Sequence, residues 1–230
     1  MIGDIMAVNR LRMGTDGRGV TTLVAFFDCP LHCKYCINDY CHERGYFLES
    51  VPRAAYTPEE LIKVLEKDAI YYRMSGGGVT FGGGEPLMQS AFIHEVCRLA
   101  DPSWKKRIET SLSVPWRDVE PVVDDIDEWI IDIKSMNADI YTEYTGSTIH
   151  RMQENLWWLK NSVDQSILRI RIPRIPRFAD EKSVRESVNL LRERYDLEAE
   201  VFDYMMTSPV SRKIYDDDED DDFDTWKFRL

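Results

Sequence analysis

From Gly19 onward, strand-like and helix-like patterns alternate along the chain. Val20 to Phe27 is a β-branched and aromatic run that stops at Asp28-Cys29-Pro30, and it predicts a first core strand. Thr57-Pro58-Glu59-Glu60 then supplies an N-cap, a proline for the first turn and two acids for the positive end of the helix dipole. The apolar positions Leu61, Ile62, Val64, Leu65 and Ala69 carry that helix to about Met74. Further strands are predicted at Gly77 to Phe81, Arg107 to Leu112, Glu128 to Ile133, Ile167 to Ile172 and Glu198 to Phe202. Helices fall between them at Gln89 to Leu99, Asp118 to Asp125, Asp139 to Asn161 (as one or two) and Asp180 to Arg194.

About six βα units of this kind predict an α/β protein with a parallel sheet lined by helices. A doubly wound sheet fits the alternation too, but no G-x-G-x-x-G follows the first strand, so an open, partial (β/α)6 barrel is the expected fold. In barrels, reactive groups gather at the C-terminal ends of strands, and the unusual residues of this chain fall at such ends.

The 230 residues suffice for one sizeable core, and 43% hydrophobic with 30% charged residues fits a globular protein. No apolar run approaches the roughly 20 residues of a membrane span, and the first residues do not read as a secretory signal, so a cytoplasmic location is expected. The net charge of −12 is uneven. Residues 216–230 hold eight acids against Lys227 and Arg229, which is half of the excess. The main domain is therefore expected over residues 1–215, with 216–230 as a disordered acidic tail. An acidic body also argues against a nucleic-acid partner held by phosphate contacts.

Four of the five cysteines are bunched at Cys29, Cys33, Cys36 and Cys41. In a reducing compartment, bunched thiols suggest a metal and not disulfides. Cys29-x3-Cys33-x2-Cys36 can give three thiolates to a cubane cluster and leave its fourth iron open for chemistry. A closed zinc site completed by Cys41, His32 or His42 is the competing reading, which the local spacing alone does not exclude.

Cys29-Pro-Leu-His-Cys33-Lys-Tyr-Cys36 resembles the CxxxCxxC signature of radical S-adenosylmethionine enzymes. Gly14-Thr-Asp-Gly-Arg-Gly19, Met74-Ser-Gly-Gly-Gly-Val-Thr80, Gly82-Gly-Gly-Glu-Pro86 and Asp132-Ile-Lys134 resemble, in order and spacing, the activating enzymes of glycyl radical enzymes. The resemblance covers about residues 14 to 205. It implies one 4Fe-4S cluster on Cys29, Cys33 and Cys36, and S-adenosylmethionine held along Gly82, Gly83, Gly84 and Glu85. It further implies contacts from Asp132, Lys134 and Arg171, and a monovalent cation near Glu109 and Thr110. Arg169 is expected in a structural ion pair.

The implied activity is reductive cleavage of S-adenosylmethionine to a deoxyadenosyl radical that removes hydrogen from a backbone glycine of a partner enzyme. A flavodoxin- or ferredoxin-type electron donor and a monomeric chain go with it. A radical enzyme acting on a small molecule or peptide, and a zinc-stabilised interaction module, are the alternatives. The chain departs from the family at Asp28, Ile37, Arg177 and Met205, where glycine, histidine, glycine and histidine are usual. His94 and His150 are expected to be ordinary helix or loop residues.

Overall fold

The computed structural model describes residues 1–42 and 54–204; Met205 and the acidic tail lie outside them. One eight-stranded sheet runs through the molecule. Its strands are β1 (Gly3–Met13), β2 (Val20–Phe26), β3 (Ala54–Tyr56), β4 (Gly78–Gly83), β5 (Lys105–Thr110), β6 (Glu128–Asp132), β7 (Leu168–Arg174) and β8 (Ala199–Asp203), in the order β3-β1-β2-β4-β5-β6-β7-β8. The six strands β2, β4, β5, β6, β7 and β8 are parallel, as the alternating pattern predicts. With β3 at one edge and β8 at the other, the sheet does not close, and the result is an open partial barrel.

The two antiparallel strands that widen the sheet are not visible in the pattern. β1 pairs with β2 through two register shifts, and Leu11 adopts a left-handed φ of 56°, so no clean alternation of apolar positions survives. β3 has only three residues.

Helices α1 (Pro58–Leu65), α2 (Ala69–Ser75), α3 (Ser90–Leu99), α4 (Trp116–Val119), α5 (Ala138–Thr145), α6 (His150–Ser162) and α7 (Glu181–Tyr195) accompany the strands. The cap at Thr57 is a full capping box with Glu60. The single helix expected to reach Met74 is instead broken by a 3-10 turn at Glu66–Asp68. That turn delivers the buried Asp68 carboxylate to the guanidinium of Arg10 at 2.6 and 2.8 Å and to the Thr22 hydroxyl at 3.1 Å. An ion pair between sheet and helix outweighs one unbroken helix.

Side-chain alternation divides the sheet into two unlike faces. Val24, Phe26, Val79, Phe81, Ile108, Trp129, Ile131, Ile170 and Ile172 all belong to one continuous buried core shared with helix residues such as Leu61, Ile93 and Leu156. The neighbouring positions Thr80, Arg107, Glu109, Asp132, Arg169 and Arg171 turn into the barrel and are polar or charged. At its lower end the lumen is floored by the loop between β1 and β2, where Thr80 donates to the Asp16 carbonyl at 2.7 Å. Gly17 rests on the buried Arg107 so closely that a Cβ would lie 2.4 Å from its Cδ.

Candidate active site

The loop that leaves β2 carries Cys29, Cys33 and Cys36, and backbone hydrogen bonds tie it to its neighbours. Asp28 takes a left-handed φ of 68°, where the family's glycine is at ease and aspartate is among the better-tolerated substitutes. Its amide donates to the Cys41 carbonyl at 2.9 Å, while its own carbonyl accepts from the Glu85 amide at 2.7 Å. Further along, the amides of His32 and Lys34 donate to the Thr145 and Tyr144 carbonyls at the end of α5, at 2.8 and 3.0 Å. Leu31 and Tyr35 are buried in the core, and the Tyr204 hydroxyl, just past β8, donates to the Tyr35 carbonyl at 2.6 Å.

Burial pushes all three thiols up, Cys33 to about 11, although the nearby Lys134 charge works the other way on Cys33 and Cys36. Such thiols ionise when a metal supplies positive charge. Cys41 is near enough for charge on Cys33 and Cys36 to act on it, and Cys29 packs against the same small apolar cluster. Cys41 is buried beside Met6, Ala25 and Phe27, and the rings of His32 and His42 stack on each other at 4.4 Å. Among the described residues no three His, Cys, Asp or Glu side chains converge as the ligands of a single ion would. Three cysteines at CxxxCxxC spacing on one loop suit a cluster that each thiolate grips at a different iron.

Gly82, Gly83 and Gly84 follow at the end of β4. Gly83 has a φ of 94°, and a Cβ there would lie 2.8 Å from the Ala25 and Phe26 backbone; at Gly84 it would lie 2.3 Å from the Asp28 carbonyl. These two glycines are therefore needed for this edge to press against the cysteine loop, and the Gly83 carbonyl accepts from Asn38 at 2.8 Å. Gly82 turns into the lumen beside Leu23 and Glu109.

Glu85 has a different task from its glycine neighbours. It is 1% exposed, and its carboxylate accepts from the Thr110 hydroxyl, the Ser111 amide and the Ser111 hydroxyl at 2.7 to 2.9 Å, with the Leu87 amide at 3.3 Å. Both oxygens are spent on tying β4 to the end of β5. Thr110 is likewise engaged, since its hydroxyl also accepts from the Leu112 amide at 2.9 Å. Glu85 and Thr110 thus tie the β4 end to the β5 end, and Glu109 is the residue of the β5 end that faces the lumen.

Inside the barrel, Asp132, Lys134, Arg171 and Glu109 come together from three adjacent strand ends. Asp132 pairs with Arg171 at 2.7 Å and Lys134 at 3.5 Å, and Arg171 reaches Glu109 at 3.4 Å. The register sets Asp132 directly opposite Arg171, which explains the short fork. Burial opposes ionisation of Asp132, but the Lys134 and Arg171 charges outweigh it and hold the carboxyl below its usual range. Glu109 shows the opposite balance: burial, aided by Asp132 and Asp16, overrides Arg171 and pushes it to about 7. Arg169 is tied to Glu200 at 2.7 Å, the structural pair expected for it, and His94 meets Asp125 at 2.7 Å. A cleft of about 880 Å³ near Gly14, Arg18 and Glu200 opens at the opposite end of the strands and takes no part in this constellation.

The shift at Glu109 carries a pH signature. An acid whose folded pKa is raised binds more protons folded than unfolded, so its contribution weakens the fold as pH rises from about 4.5 to about 7. Replacing Glu109 with Gln should therefore raise the melting temperature of the metal-free protein at pH 8 by an amount worth about 1–3 kcal/mol and do little at pH 5. Equal effects at both pH values would show that the carboxyl is not held neutral by the fold.

An open barrel with three cysteines on the loop after its first parallel strand and a charged cradle in its lumen defines a class. The chain belongs to the radical SAM superfamily, whose signature matches residues 23–196. It is 38% identical, over 146 residues, to the 4-hydroxyphenylacetate decarboxylase activating enzyme of Clostridioides difficile strain 630, covering 63% of this chain and 45% of that one. To the pyruvate formate-lyase-activating enzyme of Clostridium pasteurianum it is 28% identical, covering 84% of this chain and 77% of that one. The chain thus spans less than half the length of the first of these relatives. Among solved structures, Streptococcus suis SuiB bound to S-adenosylmethionine shares the fold with a TM-score of 0.59 at 16% identity, over 82% of this chain and 43% of that one. Among the described residues no helix is long and apolar enough to cross a membrane.

The residues that the sequence did not single out are the ones that support others. Asn38 fixes the Gly83 carbonyl, Ser111 completes the seat of Glu85, and the buried Asp16, paired with Arg12, adds charge beneath Glu109. The Asp-Gly turn at the floor was a usable signal for Asp16; for Asn38 and Ser111 none existed before the register was known.

Proposed function

We propose that this chain is an activase that generates a glycyl radical on a partner enzyme. The observation that carries the reading is the meeting, at one end of the barrel, of the Cys29, Cys33 and Cys36 loop with the Asp132, Lys134, Arg171 and Glu109 cradle. A 4Fe-4S cluster and S-adenosylmethionine held there would supply the one-electron reductive cleavage chemistry by which hydrogen could be removed from the partner's glycine.

The chain's own residues supply position and charge. Cys29, Cys33 and Cys36 hold the cluster, and Gly82 to Gly84 bring backbone close to the ligand. Lys134 and Arg171 offer cations to a carboxylate, and Asp132 offers an acceptor to hydroxyl or ammonium groups. Glu109, near its midpoint at neutral pH, accepts a monovalent cation in exchange for its proton. An electron donor of flavodoxin or ferredoxin type, a monomeric chain and a cytoplasmic location complete the reading.

Anaerobic reconstitution tests it. A brown protein with about four irons and four sulfides per chain is expected. With an artificial reductant it should convert S-adenosylmethionine to methionine and 5′-deoxyadenosine, and with its co-purifying partner it should yield a glycyl radical visible by electron paramagnetic resonance. A colourless zinc protein would overturn the reading. Cleavage coupled to a small molecule or a free peptide, with no radical on any protein, would replace the activase by another radical chemistry.

A further inference from the structure

The lower end of the barrel, away from the cysteine loop, holds a second set of charged groups that the proposed chemistry does not use. Arg107 is 3% exposed. Its Nε donates to Glu128 at 2.6 Å, directly across the β5 and β6 register. Its Nη1 is buried and has no hydrogen-bond partner among the described residues. A buried guanidinium donor without an acceptor is costly, so its retention calls for an acceptor that the chain does not supply. Glu128 and Gly17 hold the group where it is. A Cβ added at Gly17 would lie 2.4 to 2.9 Å from the Arg107 Cδ, Nε and Cζ.

A cavity of about 390 Å³ opens here, and its charged lining is Arg107, Arg18, Lys105, Arg169, Asp127 and Glu128. Four cations thus face two acids. Both acids are already engaged, Asp127 with Lys105 and Lys106 and Glu128 with Arg107. Arg169 is neutralised by Glu200 at 2.7 Å. Arg18, exposed on the loop between β1 and β2, forms no ion pair among the described residues. The cavity therefore brings together a buried arginine with an open donor and a second arginine without a counter-charge. A planar carboxylate is gripped best by a fork of two nitrogens, and Glu128 already occupies one nitrogen of Arg107. An oxyanion whose oxygens point in several directions can instead take one donor from each arginine.

We propose that this cavity binds a phosphate group between Arg107 and Arg18. The site is separate from the cradle above it: Lys105 and Glu128 begin β5 and β6, whereas Asp132 ends β6. It stands whether or not the chain is an activase. The cavity has room for more than one tetrahedral oxyanion, so free phosphate and a phosphate carried on a small organic molecule are the two sources of the same chemistry.

Calorimetric titration of the full chain at low ionic strength, with inorganic phosphate, glycerol phosphate and acetate as probes, tests the site. Saturable binding of phosphate is expected, with acetate about tenfold weaker. Arg18→Gln alters an exposed side chain without an ion pair, so it should keep the melting temperature of the phosphate-free protein and weaken phosphate about tenfold, as for a lost charged hydrogen bond. Arg107→Gln should abolish binding, and because it also strands Glu128, the exposed Arg18 carries the decision. Arg185→Gln, which alters an exposed arginine on α7, should bind like the wild type. Tighter binding of glycerol phosphate than of free phosphate identifies an organic carrier, and the reverse order identifies the free ion; either supports the site. Absence of saturable binding, equal affinity for acetate, or an affinity that Arg18→Gln leaves unchanged would overturn the proposal. So would an equal loss in Arg185→Gln, which would mean attraction to surface charge alone.

Discussion

Alanine at Cys29, Cys33 or Cys36 should abolish iron binding altogether, while alanine at Cys41 or Cys97 should leave about four irons per chain. The difference follows from where the sulfurs sit. The first three share the loop at the barrel mouth and have no disulfide partner. Cys41 is fully buried with Met6, Ala25 and Phe27, with Cys29 packed against that cluster, and Cys97 belongs to the larger apolar core. Those two act as small hydrophobic side chains, so their removal costs packing, about 1 kcal/mol each, and should appear as a lower melting temperature only. Iron and sulfide analysis of the five single variants decides the matter. Equal loss at Cys41 would mean a four-cysteine site and would remove the open iron on which the activity depends.

A second large effect is expected at Asp132. Its carboxylate sits between Lys134 and Arg171 and is the closest anion to either. Asp132→Ala leaves two cations facing each other in a confined lumen, with only the longer contact to Glu109 to offset them. Breaking a pair of this kind costs about 3 kcal/mol, and some of that is recovered here because the group keeps access to water. Asp132→Asn retains an acceptor for the Arg171 Nε and should lose much less. Chemical denaturation of the metal-free proteins measures both, and calorimetric titration of the loaded proteins with S-adenosylmethionine should show binding lost in the alanine variant with iron intact. Full stability in Asp132→Ala would show that Lys134 and Arg171 find other counter-charges.

Local rules made some of this readable in the chain. The capping box at Thr57 and Glu60 and the acid cap at Asp180 are decided within four residues, so they stand where the sequence puts them. The resemblance put Asp132, Lys134 and Arg171 in one site, and Arg171, as an inward arginine, calls for an anionic partner. The structure supplies that partner from within the chain, as Asp132 and Glu109. What escaped depends on contacts between distant segments. Asp68 breaks a helix to reach Arg10, 58 residues away. Glu85 is turned inward by Ser111, a neighbour only through the β4 and β5 pairing. Arg177 occupies a left-handed φ of 67°, a conformation that suits glycine better than arginine, and the strain is invisible until the turn is seen.

The cysteine loop is held at Leu31, His32, Lys34, Tyr35 and Asp28 by backbone bonds and core packing that involve no iron. Many small metal-binding domains collapse when the metal leaves, because the metal is their core. Here the core is apolar, and the loop is anchored to it through Leu31 and Tyr35, so the fold does not depend on iron for its core. Exposure to air is then an injury to the inorganic part alone. A chain stripped by oxygen should remain a folded recipient, ready for repair by reinsertion of iron and sulfide, without being unfolded, degraded and made again.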